Sequence, residues 1–244
     1  MHEAYTFVLI HGAWHEGTLW ASVAEHLRRA GHTVHTPTVA GHGKGVRKDV
    51  NFAEGVISIL DYILTHDVSS FVLVGHSSGG PFISRVAEEM PVRIRRLVYL
   101  NAFVLRDGES INDVSPPPYE GMLASIVAQR IDGCTELPFE VFRDAFVADA
   151  DVATAREIHE RLSPTPYRMH TDKVSLRSFY ELKLPRTYLN AQDDVAMPPG
   201  AFAWYPRFAE RLFPCRVVQM AGSHEVMFTN PGLLATKLWE ASRD

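Results

Sequence analysis

Residues 71–82 read FVLVGHSSGGPF. Four apolar residues run into Gly75, and the adjacent serines Ser77 and Ser78 are followed by Gly79, Gly80 and Pro81. A short unbroken apolar run is the mark of a strand buried on both faces. Proline cannot donate inside a helix but fits its first turn. The stretch therefore predicts a strand over Phe71–Val74, a tight turn, and a helix over Pro81–Met90. Small residues gather where the turn must be. Gly75 and Gly79 stand two positions either side of Ser77 and leave room for other backbone to pass close by. Ser78 has Gly80 on one side but His76 on the other, so the spacing selects Ser77 as the apex.

The surrounding sequence repeats this strand-then-helix rhythm. YTFVLI (Tyr5–Ile10) is another continuous apolar run, and LWASVAEHLRRAG follows with Leu19, Val23 and Leu27 at helical spacing, closed by Gly31. Thr33–Val39 is rich in β-branched residues and reads as a strand. Phe52, Val56, Ile59, Leu60 and Ile63 share one helical face, and Arg95–Phe103 reads as a further strand. Such alternation implies parallel strands joined by crossover helices. From Asp107 to Lys183 it stops: helical segments and turns follow one another with no convincing buried strand. It resumes with RTYLNA, then PGAFAWYPRFAERL as a helix, CRVVQMAG as a strand and PGLLATKLWEAS as a helix. Two separate domains would leave only two βα units in the second, too little to fold alone. The expected architecture is an α/β core, a mostly parallel sheet flanked by helices, built from residues 1–106 and 184–244. Residues 107–183 form a mainly helical insertion.

Bulk properties narrow the function classes. The 244 residues suit one large domain with an insertion. Apolar residues make up 46 % and the net charge is -5, which leaves no basic footprint for nucleic acid or anionic membrane. Cys134 and Cys215 are the only cysteines, too few for a disulfide scaffold, and read as buried free thiols. No apolar run approaches the ~18 residues that would span a membrane. The N-terminus reads as a first strand and not a signal peptide, so a cytoplasmic location is expected. GHGKG (Gly41–Gly45) lacks the rest of a phosphate-binding loop. His32 and His35 fall on opposite faces of a strand, and there is no H-E-x-x-H. Neither a metal nor a cofactor is expected.

Gly75-His76-Ser77-Ser78-Gly79 matches G-x-S-x-G, a nucleophile elbow. A serine hydroxyl is a poor nucleophile at neutral pH and needs a base. In this arrangement the chain order is serine, acid, histidine. Of the 12 histidines only His224, in VVQMAGSHEVMF, lies beyond residue 170, and it directly follows a strand. The acid belongs after the preceding strand, where Asp193 and Asp194 stand, and the spacing slightly favours Asp194. The backbone N–H of Ser78 is placed to meet a developing oxyanion. A second donor is expected from the loop after the first strand, at Ala13, with Trp14 and His15 lining the mouth of the site. Asp149 and Asp151 in the insertion read as a solvated helix start.

Together FVLIHGAW, GHSSGG, NAFVLRDGES, YLNAQDDVAMP and AGSHEVMF resemble the α/β-hydrolase group that contains plant methylesterases, hydroxynitrile lyases and similar bacterial carboxylesterases. The resemblance implies Ser77 as nucleophile, His224 as base, Asp194 rather than Asp193 as acid, and oxyanion donors at Ala13 and Ser78. It makes the insertion a cap over the site that, with residues such as Trp14, Phe103 and Met122, shapes an apolar pocket. The lyases of the group carry Thr and Lys where this chain has Gly12 and Glu225, and a carboxylate is the wrong charge to receive cyanide. The expected activity is cofactor-free hydrolysis of a small, largely apolar carboxylic ester through an acyl-enzyme. A slow ligand-binding protein, a lyase or a cofactor-free oxygenase on the same scaffold is the alternative. The expected partner is a small-molecule ester, with a homodimer left open.

Overall fold

The computed structural model describes residues 3–243. Six parallel strands form the main sheet in the order β2-β1-β3-β4-β7-β8. Before the insertion the chain runs β1 (Thr6–Ile10), α1 (Ala21–Arg29), β2 (Thr33–His35), α2 (Phe52–Thr65), β3 (Phe71–His76), α3 (Gly79–Glu89) and β4 (Ile94–Leu100). The insertion holds α4 (Ile111–Val114), α5 (Pro117–Ala128), β5 (Cys134–Thr135), α6 (Phe139–Val141), a π-helical turn (Phe142–Phe146), α7 (Val152–His159), β6 (Thr165–Pro166) and α8 (Arg168–Thr171). The sheet then resumes with β7 (Arg186–Ala191), α9 (Arg207–Arg211), β8 (Arg216–Met220), α10 (Val226–Thr229) and α11 (Pro231–Ala241).

Because successive strand residues point to opposite faces, β1 divides its side chains between two cores. Val8 and Ile10 join Leu73, Phe82, Ile83 and the buried faces of α2 and α3. Phe7 and Leu9 join Val72, Val74 and the inner sides of α1 and α11. Burial on both faces explains why these strands read as apolar runs and not as alternating ones. A capping box starts α2: Asn51 Oδ1 accepts from Glu54 N–H, and Glu54 Oε2 accepts from Asn51 N–H, each at 2.9 Å.

Strand order reverses between β1 and β3. The chain leaves β1 towards β2 on one side and β3 towards β4 on the other, which opens a crevice at the carboxyl ends where ligands bind in such sheets. The register pairs Ile10 with Gly75. The loops beginning at His11 and Ser77 therefore start side by side. At the elbow a Cβ on Gly79 would lie 2.8 Å from the Ile10 carbonyl oxygen, and one on Gly75 would lie 2.8 Å from that of Gly79. The two flanking glycines are close-approach positions.

Three local expectations need correction. The strand expected over Thr33–Val39 ends at His35, since Pro37 has no N–H to give a ladder. The helix expected in PGAFAWYPRFAERL is confined to Arg207–Arg211, because Pro206 can begin a helix but not continue one. The insertion does contain strands: β5 and β6 pair antiparallel over two residues each, too short to show a period. Cys134 is buried, but Cys215 is only partly so. Among the described residues no helix is long and apolar enough to cross a membrane.

Gly79→Ala should overpack the elbow by about 1–3 kcal/mol. Thermal unfolding followed by circular dichroism is expected to show a midpoint lower by about 3–10 °C.

Candidate active site

Ser77 sits between β3 and α3 at φ +54°, the left-handed region that costs a non-glycine residue about 1–3 kcal/mol. Its backbone is tied on both sides. Ser77 N–H donates to Leu100 O at 3.2 Å, and Ser77 O accepts from Gly80 N–H and Phe103 N–H, each at 3.1 Å. The turn is thus held by the end of β4, by the segment after it and by the first turn of α3. It presents the hydroxyl at the carboxyl edge of the sheet.

His224 lies in the loop between β8 and α10 and is 2 % exposed. Its Nδ1 is 2.6 Å from Asp194 Oδ2. A carboxylate can only accept, so Nδ1 is the donor and Nε2 makes no bond to Asp194. Asp194 is itself fixed. Its Oδ1 accepts from Ala196 N–H at 2.9 Å, and its Oδ2 also accepts from Asn101 Nδ2. Asn101 in turn accepts from Ala191 N–H at 2.7 Å. Asp193 points elsewhere, accepting from Gly222 N–H at 2.8 Å. Sequence spacing alone left the two aspartates nearly equal. Asn101 was missed, and its signal was an amide side chain placed directly after a buried strand.

Three rings hold the His224 imidazole. Trp204 stacks on it with centroids 5.3 Å apart, Phe146 meets it edge-on at 5.0 Å, and His76 lies at 4.5 Å. His76 Nε2 donates to the His224 carbonyl at 3.1 Å. Burial, and after it the neighbouring His224, holds the His76 pKa well below the usual 6.5. This second imidazole is therefore a neutral support for the first and not a competing charge.

Ser77, Ser78, His224, Ala13, Trp14 and Phe103 line one cavity of about 20 Å³, room for roughly one water molecule. Tyr119, Phe146, His170 and Trp204 complete much of its wall. Three of their polar atoms, Tyr119 Oη, His170 Nε2 and Trp204 Nε1, have no partner among the described residues. The Ser77 hydroxyl makes no hydrogen bond to His224 there, and catalytic hydrogen bonds often tighten only once substrate is bound. The backbone N–H groups of Ala13 and Ser78 donate in no turn, loop or cap bond among the described residues. Gly12 brings the first loop against the elbow: a Cβ there would lie 2.9 Å from Ser77 Cβ.

Two expected lining residues lie elsewhere. Met122 does not line the cavity and packs on an apolar cluster that includes Leu123, Phe142 and Phe146. His15 is buried behind the Ala13 loop, with Nδ1 on Ala13 O at 2.6 Å and Nε2 on Glu225 Oε2 at 2.9 Å. Buried polar side chains seek hydrogen-bond partners, and these draw His15 away from the cavity. Tyr119 and Trp204 were missed because their segments read as punctuation and as a plain helix. Asp151 caps α7 through Thr154 N–H at 2.7 Å. Asp149 does more than start a helix, since it accepts from Ser223 N–H at 3.3 Å and Thr229 Oγ1 at 2.8 Å, beside His224. A hollow of about 650 Å³ between α2, α3 and α8 is larger. Its charged groups are already engaged, as in the ion pairs Arg85–Glu89 and Lys173–Asp113. Among the described residues no His, Cys, Asp and Glu cluster could hold a metal ion.

A sequence model of the alpha/beta hydrolase family matches residues 7–237. The chain belongs to that family. The carbendazim-hydrolyzing esterase of Nocardioides sp. strain SG-4G is 30 % identical over 95 % of this chain and 97 % of its own length. The pyrethroid hydrolase of Sphingobium wenxiniae is 28 % identical over 93 % of this chain and 84 % of its own. Among solved structures, an extracellular alpha/beta-hydrolase from a Paenibacillus species superposes with a TM-score of 0.96 at 35 % identity, covering 98 % of this chain and 100 % of the other. That protein is described as sharing structural and functional homology with tobacco salicylic acid binding protein 2.

Asn101→Ala should free the Asp194 carboxylate to rotate. Displacing a catalytic group by about 1 Å can cost ~10²-fold. Phosphonylation of Ser77 by an aryl phosphonofluoridate, followed by intact mass, is expected to slow by about 10- to 100-fold.

Proposed function

We propose that the chain is a cofactor-free carboxylic-ester hydrolase with Ser77 as nucleophile, His224 as general base and acid, and Asp194 as the group that orients and stabilises the imidazole. The observation that carries this reading is the 2.6 Å bond from His224 Nδ1 to Asp194. It leaves Nε2 as an acceptor in the same cavity as a serine held at a left-handed turn. The esterase and hydrolase names of its full-length relatives support it.

The reaction follows from the geometry. As the Ser77 oxygen adds to the ester carbonyl, its proton passes to His224 Nε2. The carbonyl oxygen becomes an oxyanion between the N–H groups of Ala13 and Ser78, where one such donor lowers the barrier by about 3 kcal/mol. Collapse breaks the ester C–O bond, and the alcohol leaves with the proton from Nε2. Water, deprotonated by the same nitrogen, then cleaves the acyl-enzyme and restores the Ser77 hydroxyl. Asp194 stays ionised and stabilises the imidazolium.

Ile111, Phe103, Met197 and Trp204 give the cavity its apolar wall, which suits a small, largely apolar ester. A volume of about 20 Å³ holds no ester. Residues 107–183 therefore act as a cap that moves aside for substrate. Lyase chemistry fits poorly. A Thr at position 12 would crowd Ser77, and the Glu225 carboxylate is engaged by His15. Two free cysteines suit a cytoplasmic setting.

Ser77→Ala is expected to lower kcat by about 10⁴- to 10⁶-fold, while Ser78→Ala, which keeps its backbone N–H, should stay within a few-fold. Steady-state assays on aryl, methyl and lactone esters, with intact-mass detection of an acyl adduct, check both. A loss of turnover in Ser78→Ala but not in Ser77→Ala would overturn the assignment.

A further inference from the structure

We infer that His15 and Glu225 form a buried ion pair that clamps the oxyanion-hole peptide, so that both act as positioning residues for catalysis. This rests on the esterase reading above.

The peptide joining Ala13 to Trp14 is held at both polar atoms. Its carbonyl, Ala13 O, lies 2.6 Å from His15 Nδ1. Its N–H, that of Trp14, donates to Thr165 Oγ1 at 2.6 Å. Trp14 sits at φ +63°, a conformation that persists only where surrounding contacts fix it. These contacts set the direction of the neighbouring Ala13 N–H, the donor assigned to the oxyanion. A carbonyl cannot donate, so Nδ1 of His15 carries a proton. The other ring nitrogen faces Glu225 Oε2 at 2.9 Å. Glu225 is fully buried, and its other oxygen has no partner among the described residues. It directly follows His224 in sequence, and its N–H donates to Phe146 O at 3.0 Å. One pair therefore couples the oxyanion loop to the loop that carries the base.

The surroundings favour the charged form. Burial lowers the His15 pKa, but the Glu225 carboxylate and the hydrogen bonds to Glu225 and Ala13 outweigh it, so the value lies above the usual 6.5. Arg161, beside the Phe228 ring that stacks on His15, opposes this. His11 and His76 also face His15, and both are held well below 6.5 chiefly by burial. Tyr119 feels Glu225 and is pushed up, chiefly by burial, so it stays neutral. A raised His15 pKa means the pair is intact below it and is lost as pH rises through it. Above that pH a bare Nε2 lone pair faces a carboxylate, and the clamp loosens.

The test avoids His15→Ala, which would strand a buried carboxylate. Glu225→Gln is isosteric, and its amide can donate to Nε2 of a neutral His15 while Nδ1 still holds Ala13. The parent is expected to show an alkaline fall in kcat/KM for an aryl ester. Glu225→Gln should keep turnover within about fivefold at neutral pH and lack that fall. Glu225→Ala should lose about 10²-fold in kcat with KM changed less than threefold, at an unfolding midpoint matching that of Glu225→Gln. ¹⁵N NMR of the parent should find both His15 ring nitrogens protonated at neutral pH. An unprotonated His15 nitrogen there, or an alkaline limb retained in Glu225→Gln, would overturn the inference while leaving the esterase reading intact. A parent inert to every ester tested would instead sink that reading, and the catalytic purpose of the clamp with it.

Discussion

The left-handed backbone at Ser77 is the constraint on which the rest of the molecule depends. Left to itself a serine would relax out of φ +54°. Hydrogen bonds to Leu100, Gly80 and Phe103 prevent this, and those to Leu100 and Phe103 exist because β4 lies beside β3 in parallel register. The flanking glycines let α3 and the end of β1 close around the turn. Sheet order, strand register and glycine placement thus converge on one hydroxyl. A change in any of them would move the Ser77 hydroxyl.

Charge around the site is arranged with equal economy. Five histidines lie in two sets of ring contacts, His11 with His42, and His15 with His76 and His224. Burial keeps His11 and His76 neutral, and sets His42 at about 4. The two that meet a buried carboxylate are His224, with Asp194, and His15, with Glu225. Desolvation disfavours an imidazolium unless a counter-charge is adjacent. Of these rings, His15 is the one whose pKa is raised, and the Glu225 beside it is the cause. The residue after His224 is an acid here, and it is engaged by His15.

The insertion contributes more than cover. Phe146 from the π-helical turn touches His224 by its ring and Glu225 by its carbonyl. Thr165 accepts from Trp14 N–H, and Asp149 holds the loop that carries His224. Lys48, from the core, donates to the carbonyls of Gly41, Gly43 and Pro164 and so fastens the same segment from below. The position of the insertion and the alignment of His224 are consequently coupled.

How much of this was legible in the sequence depended on the range of the determining forces. Apolar runs, helical spacing and the glycines about Ser77 are local, so the alternating core, the elbow and the candidacy of His224 could be read directly. Gly12 and Asn101 act through backbone more than sixty residues away. Met122 and Tyr119 lie three residues apart on α5, yet only Tyr119 reaches the cavity, because helix orientation within the insertion is fixed by packing and not by spacing. His15 looked like a residue at the mouth of the site until its two acceptors were seen. The sequence by itself determined which groups could do the chemistry, since reactivity and turn geometry are encoded in neighbouring residues. Only the tertiary structure decided which aspartate meets His224, which histidine meets Glu225 and which side chains wall the cavity. Those choices are settled by burial and hydrogen bonding between segments the chain brings together only when folded.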